Sequence, residues 1–173
     1  AAGLNLGGTA ITADATEINY LDGVTSAIQT QLDAKGTASN VAGLSDALVE
    51  DNSIYIGNDP SSTTSTAEYN VAVGTTALDA ITTGDKNTAV GRNALTENTT
   101  GEANTAIGNN ALSSNTGHHN TASGNLALYK NTTGYNNTAS GSTVLYSNTT
   151  GHNNTASGHY ALNKNTTGAE NTA

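Results

Sequence analysis

From Asn70 to the last residue, apolar and polar positions recur with a fixed short period. The unit reads Asn-Thr-Ala-x-Gly-x-x-Ala-Leu-x-x-Asn-Thr-Thr-Gly-x-x and begins at Asn70, Asn87, Asn104, Asn120, Asn137, Asn154 and Asn171. The period is constant except between Asn104 and Asn120, where it is shorter by one residue. The short interval arises where Ser114-Asn115-Thr116-Gly117 lacks the second Thr of Asn98-Thr99-Thr100-Gly101. A strict period of this length predicts a repeat architecture, in which a unit too small to bury its own apolar side does so by stacking on its neighbours.

Counting each unit from its first Asn, positions 1 to 5 alternate as a short strand does, with Asn, Ala and Gly on one side. Position 2 carries Thr (Val71 in the first copy), and position 4 carries Val73, Val90, Ile107, Ser123, Ser140 and Ser157. A second apolar element follows at positions 8 and 9, as in Ala94-Leu95, Ala111-Leu112 and Ala161-Leu162, with Val144-Leu145 as the variant. Asn-Thr-Thr-Gly then closes the unit, because its Gly permits a positive φ and its Asn can bond its own following backbone. The expectation is therefore two short strands and two turns per coil of a β-solenoid. Stacking would align one Leu per coil into a structural ladder of Leu78, Leu95, Leu112, Leu128, Leu145 and Leu162. Seven such coils would extend about 34 Å at the usual strand spacing. A helical reading fails on composition, since Thr, Asn and Gly fill most of each period and are poor helix residues.

The segment before the repeats has a different period. Leu21, Val24, Ile28, Gln31 and Lys35 fall at alternating three- and four-residue spacings, which predicts a helix from Thr25 or Ser26 to Lys35 with Gly36 as its stop. One helix of that length is unstable alone in water, so its stripe needs partners. Identical helices in a trimer are the simplest source, with Val24 and Ile28 at the interface; packing against the first coil of the same chain is the alternative. Val41, Leu44 and Leu48 make a second short stripe, shifted by one residue. Ser53-Ile54-Tyr55-Ile56-Gly57 lies one full period ahead of Asn70-Val71-Ala72-Val73-Gly74 and repeats its strand pattern, so it reads as a degenerate first coil. The resulting division is an extended Gly-rich segment over 1–13, a helical coiled-coil neck over 14–50, a degenerate coil and collar loop over 51–69, and β-roll repeats over 70–173.

The run Asn70-Val71-Ala72-Val73-Gly74-Thr75-Thr76-Ala77 is similar to the head repeats of trimeric autotransporter adhesins. The fuller unit with its Asn-Thr-Thr-Gly turn looks more like repeats in bacteriophage tail fibres. Residues 21–35, Leu-Asp-Gly-Val-Thr-Ser-Ala-Ile-Gln-Thr-Gln-Leu-Asp-Ala-Lys, resemble a linker helix of phage fibres and related surface fibres. These resemblances imply a homotrimeric fibre with a left-handed parallel β-roll in each chain. The period seen here departs from that of the autotransporter head, which leaves the roll cross-section open. In such a trimer, positions 2 and 4 are expected to face the threefold axis, with Val73, Val90 and Ile107 as an apolar plug and Ser replacing them in later coils.

Composition sharpens this picture. The chain has no Trp, Phe, Met or Cys and only seven Tyr, too little for a conventional core. Disulfides and Cys-based metal sites are excluded. No run is apolar enough to cross a membrane as a helix, and the first residues do not resemble a secretory signal. A start without Met and a stop in mid-repeat suggest a piece of a longer polypeptide. The net charge of −9 argues against a nucleic-acid partner, which needs a basic face. Thirteen of the fourteen acids lie at or before Glu102; between Ala103 and Ala169 there are none, while Lys130, Lys164 and all four His fall there. The distal repeats therefore present a neutral Asn/Thr/Tyr/His surface that can approach a polyanionic or sugar-coated envelope without repulsion, or one that simply descends from an uncharged ancestral repeat.

Chemistry-bearing residues are few. The His residues lie in the acid-free half, so no Ser-His-Asp arrangement is suggested, and no catalytic site or cofactor is expected. His118 and His152 share position 16 with Tyr135, and a threefold axis could gather three copies of one His on a metal; solvated turn residues are the plainer reading, and no metal site is assigned. Tyr129 and Tyr146 share position 10 in adjacent coils and should stack, either as a glycan contact or as a structural cover for Leu128 and Leu145. Asn-x-Thr triplets at Asn98, Asn131, Asn136, Asn148, Asn153 and Asn165 match glycosylation sequons, but they arise from the repeat, and most or all are expected to be unmodified.

The functional expectation is a structural fibre protein of a phage tail, a trimeric shaft supporting host attachment. Its partners would be its own copies, other tail or fibre proteins, and a host cell-surface glycan or protein met through a distal region. It would be part of an extracellular virion. Alternatives are the head of a bacterial adhesin at the cell surface and a monomeric ice-binding solenoid. Against the latter stands the alternation of Thr with Ala in place of a Thr-x-Thr row.

Overall fold

A computed structural model describes residues 5–6, 9–10, 47–57, 60 and 64–173. The chain separates into two compact units, Ala1–Ser39 and Asn40–Ala173. In the first, β1 (Asn5–Leu6) pairs antiparallel with β2 (Thr9–Ala10), Asn5 opposite Ala10 and Leu6 opposite Thr9. The expected helix over 25–35, with Val24 and Ile28, lies outside the described residues, as do Val41 and Leu44.

The second unit is a β-solenoid. Its sheet runs in the order β10 to β3, with β4 (Ser53–Ile56), β5 (Val71–Val73), β6 (Thr88–Val90), β7 (Thr105–Ile107), β8 (Thr121–Ser123), β9 (Thr138–Ser140) and β10 (Thr155–Ser157) all parallel. Every strand pairs with its neighbour at the same repeat position, Ala72 opposite Ala89, Ala89 opposite Ala106, and onward to Ala139 opposite Ala156. The short coil keeps this register, because its missing Thr is taken out of the turn and not out of the strand. β4 pairs with β5 in the same parallel way, Ile54 opposite Val71, so Ser53–Ile56 is the strand of one further coil.

At the N-terminal end the sheet changes direction. β3 (Ala47–Glu50) pairs antiparallel with β4 through Asp51 and Asn52, both at positive φ. Residues 47–50, including Leu48, are thus strand where the sequence reading continued the helical neck to residue 50. Among the described residues there is no helix.

Each coil has one strand, not the two expected. Positions 8 and 9 lie in a run of turns, and every position-9 Leu from Leu78 to Leu162 takes a φ between 47° and 53°. A left-handed conformation costs a non-glycine residue about 1–3 kcal/mol. Here full burial of the Leu side chain returns about 1.5–3 kcal/mol. The turned backbone also bonds the next coil, as Leu95 N–H does to the Ala111 carbonyl at 3.1 Å. The two gains together exceed the strain. Leu78, Leu95, Leu112, Leu128 and Leu145 are fully buried, and Leu162 in the last coil is half-buried.

The interior is narrow. It holds the position-3 Ala, the position-8 Ala or Val144, the Leu column, and two columns of Asn. Along the strand Ala points inward and its two neighbours outward, an exposed–buried–exposed pattern that matches the period of two.

The glycines divide by role. Position-5 glycines such as Gly91, at φ 132°, use a backbone region that side chains rarely adopt. The glycine of Asn-Thr-Thr-Gly was expected to do the same, yet none of them is left-handed. It is needed for space: a Cβ on Gly134 would collide with the Gly151 carbonyl and the Asn131 Oδ1.

Candidate interaction surface

The strand register carries side chains into columns along the solenoid. Position-1 Asn residues form a continuous inner column. The Oδ1 of each accepts both the backbone N–H and the Nδ2 of the Asn one coil on, as Asn137 Oδ1 does from Asn154 at 3.0 Å each. Its Nδ2 also donates to the Gly carbonyl closing its own coil, Asn137 to Gly151 at 2.8 Å. Ser53 starts the column, its Oγ accepting the Asn70 N–H at 2.9 Å. Position-12 Asn residues form a second column, Asn148 donating to Asn131 Oδ1 at 2.7 Å and Asn165 to Asn148 Oδ1 at 3.0 Å. In the short coil this column breaks, and Asn98 Oδ1 is buried without a hydrogen-bond partner.

Outward, the strand face has two rows. Position 2 contributes Ile54, Val71, Thr88, Thr105, Thr121, Thr138 and Thr155; position 4 contributes Ile56, Val73, Val90, Ile107, Ser123, Ser140 and Ser157. No charged residue occurs in either row. Val73, Val90 and Ile107 are 38%, 37% and 46% exposed, and Val49 and Ile54 on the terminal hairpin extend the apolar area. Beyond Ile107 the face changes to hydroxyls, with Thr121/Ser123, Thr138/Ser140 and Thr155/Ser157 exposed in pairs. Thr therefore alternates with Ala only along the backbone; on the surface its neighbour is Ser.

Aromatic residues also fall into columns. Tyr129 and Tyr146 stack at 5.3 Å and 17°, with Lys130 Nζ 5.4 Å from the Tyr146 ring. Both are half-buried, and one face of each ring is covered by the other. Sequence reasoning placed Tyr135 and His152 together at position 16 but did not expect the stack they form, at 4.8 Å and 10°. Their shared repeat position was the available signal. His118, one coil earlier in that column, accepts the Glu102 backbone N–H on Nδ1 at 3.1 Å. His119 lies beside it, with ring centroids 6.4 Å apart, and His159 meets Tyr160 edge-on at 4.1 Å.

Among the described residues no three His, Asp or Glu side chains come together in a way that holds a metal ion, and no cavity opens into the solenoid. The sequons separate by burial: Asn98, Asn131 and Asn148 are buried, Asn165 is half-buried, and Asn136 and Asn153 are exposed. No helix among the described residues is long and apolar enough to cross a membrane. Comparison with known proteins found no match among family models, curated proteins or solved structures.

Proposed function

We propose that this chain is a structural fibre segment, the shaft of a homotrimeric phage tail fibre that supports host attachment, with the head of a bacterial surface adhesin as the nearest alternative. The observation that carries the reading is the uncharged outer sheet face, on which Val71, Val73, Val90 and Ile107 stand exposed in register. Contiguous apolar area on a soluble surface marks an interaction site. Identical copies of one chain, aligned side by side, bring each of these residues against an equally spaced row. A solenoid with no cavity among its described residues and a rigid repeat suits a spacer better than a catalyst.

The test is absolute mass in solution by light scattering, on the whole chain and on a form beginning at Ala47, which keeps the terminal hairpin. A mass three times that of the chain, falling when the segment before Ala47 is removed, supports a trimer stabilised by an N-terminal neck. In the full chain, Val90→Asp is expected to lower the melting temperature of the trimer, because it sets a charge where the apolar rows meet. A Val90→Asp trimer as heat-stable as the parent places the interface elsewhere, and a folded monomer in both forms overturns the trimeric reading.

A second reading is favoured by one observation, the regular pairs Thr121/Ser123, Thr138/Ser140 and Thr155/Ser157 on a flat exposed face. A lattice of hydroxyls at strand spacing suits the ordering of water, as in an ice-binding solenoid. Inhibition of ice recrystallisation by a monomeric chain would establish it, and inactivity in that assay removes it.

A further inference from the structure

We propose that the column formed by His118, His119, Tyr135 and His152 is a binding ridge for an anionic polysaccharide bearing sulfate or phosphate esters, engaged when its imidazoles are protonated. This goes beyond the fibre reading and does not depend on copy number. Three observations carry it. The charge along the chain is segregated, with no acid between Ala103 and Ala169 and with Lys130, Lys164 and all four His in that stretch. The solenoid register sets His118, Tyr135 and His152 at one position of three successive coils, with His119 adjacent. The rings are accessible: His118, His119 and Tyr135 are exposed and His152 is half-buried against Tyr135.

Two coils separate His118 from His152, about 10 Å at strand spacing. That distance is comparable to the Debye length at physiological salt, so charges on the ridge act on a ligand together. Imidazole is the side chain that ordinarily gains its charge just below neutral pH. With its imidazoles protonated the ridge carries three positive charges.

The groups that face it are few. Glu102 precedes His118 in the same column and Asp85 lies one coil further back. Glu170 follows His152, whose carbonyl accepts the Glu170 N–H at 3.0 Å. These acids bound the ridge at its two ends and leave its middle, with Tyr135, Asn136 and Asn153, free of negative charge. Protonation of His118 puts the new proton on Nδ1 and releases the Glu102 N–H that Nδ1 accepts in the neutral form.

The experiment is retention of the full chain on dextran-sulfate resin and on dextran-phosphate resin at pH 5.5 and pH 7.5, with uncharged dextran as the control. With all four His charged, the net charge of −9 rises only to −5, so a negatively charged protein that binds a negatively charged polymer must do so through a local site. A cation close to an anionic surface contributes about fivefold in affinity, so three imidazolium charges predict tightening on the order of 100-fold at the lower pH. Preference for one resin identifies the ester. The triple variant His118→Gln, His119→Gln and His152→Gln should keep the parent's circular dichroism and lose the pH-dependent retention, while Lys130→Gln with Lys164→Gln keeps it. Retention that is absent, equal at both pH values, undiminished in the triple variant, or abolished only by the lysine changes overturns the proposal.

Discussion

At the scale of single residues, the inner Asn columns are the part of this solenoid that tolerates least. Asn137 donates to Gly151 and Asn120 and accepts twice from Asn154, which uses both amide hydrogens and both lone pairs. Asn137→Ala leaves the Asn154 N–H and one Asn154 Nδ2 hydrogen without their acceptor, at about 1–3 kcal/mol for each orphaned group, while the Gly151 carbonyl keeps its bond from Asn148 and Asn154 Nδ2 keeps the Gly168 carbonyl. The expected loss is about 3 kcal/mol or more in urea denaturation; a loss near zero would mean that the neighbouring groups find other partners. Asn137→Asp keeps the shape but turns a double donor into an acceptor that faces the Gly151 carbonyl and Asn120 Oδ1. Burial against acceptors raises the folded-state pKa of that carboxyl above its unfolded value. Stability is then retained at low pH and lost as pH rises through the folded pKa, so the deficit relative to the parent is expected to be larger at pH 7 than at pH 4. Equal deficits at the two pH values would place the carboxylate in water. The alternation of Asn, Ala and Gly on one side was enough to put Asn on the inner face. That Asn would serve turns and ladders was expected from the repeat; the bonding pattern was not legible, because apart from the Gly carbonyl that closes its own coil the partners of each Asn lie in the adjacent coils.

At the scale of the element, the period was plain in the sequence and the local structure less so. The strand pattern Asn-Thr-Ala-x-Gly could be read directly, whereas Ala-Leu looked like a second strand because its apolar pair matches a buried run of either kind. Nothing local marks Leu95 or Leu112 as left-handed; the conformation is imposed by stacking and by burial of the Leu. The closing glycine misled in a similar way, since Gly at the end of Asn-Thr-Thr is a turn signal whether it is needed for φ or for space. The one irregular coil allows a direct test. Inserting a Thr between Thr116 and Gly117 restores the Asn-Thr-Thr-Gly turn and is expected to bring Asn115 Nδ2 to Asn98 Oδ1, as Asn131 reaches Asn115 at 2.6 Å. Satisfying one buried acceptor is worth about 1 kcal/mol, set against the Asn120–Asn115 bond at 3.2 Å that the short coil makes. A rise in melting temperature of about 2–5 °C is expected. A fall would show that the short turn is the better-packed one.

At the scale of the whole solenoid, stability should be divisible into coils. Backbone and Asn bonds run from each coil to the next, and Ser53 and the β3–β4 hairpin close the N-terminal end. Such stacks behave as nearest-neighbour sums. Deleting residues 121–137 joins Asn120 to Thr138 and removes one complete period, so every remaining Asn, Ala and Leu keeps a partner of its own kind. The shortened chain is expected to fold, to give the same circular dichroism per residue, and to melt in one transition slightly below the parent. Deleting residues 121–129 instead follows Asn120 with Lys130, which puts a charged residue where Thr stood and shifts every later position out of phase. That chain should lose the distal coils and their amide protection while those before Asn104 persist. The comparison tests the period and not the number of residues removed. Equal damage from both deletions would mean that the coils are held by something other than their register.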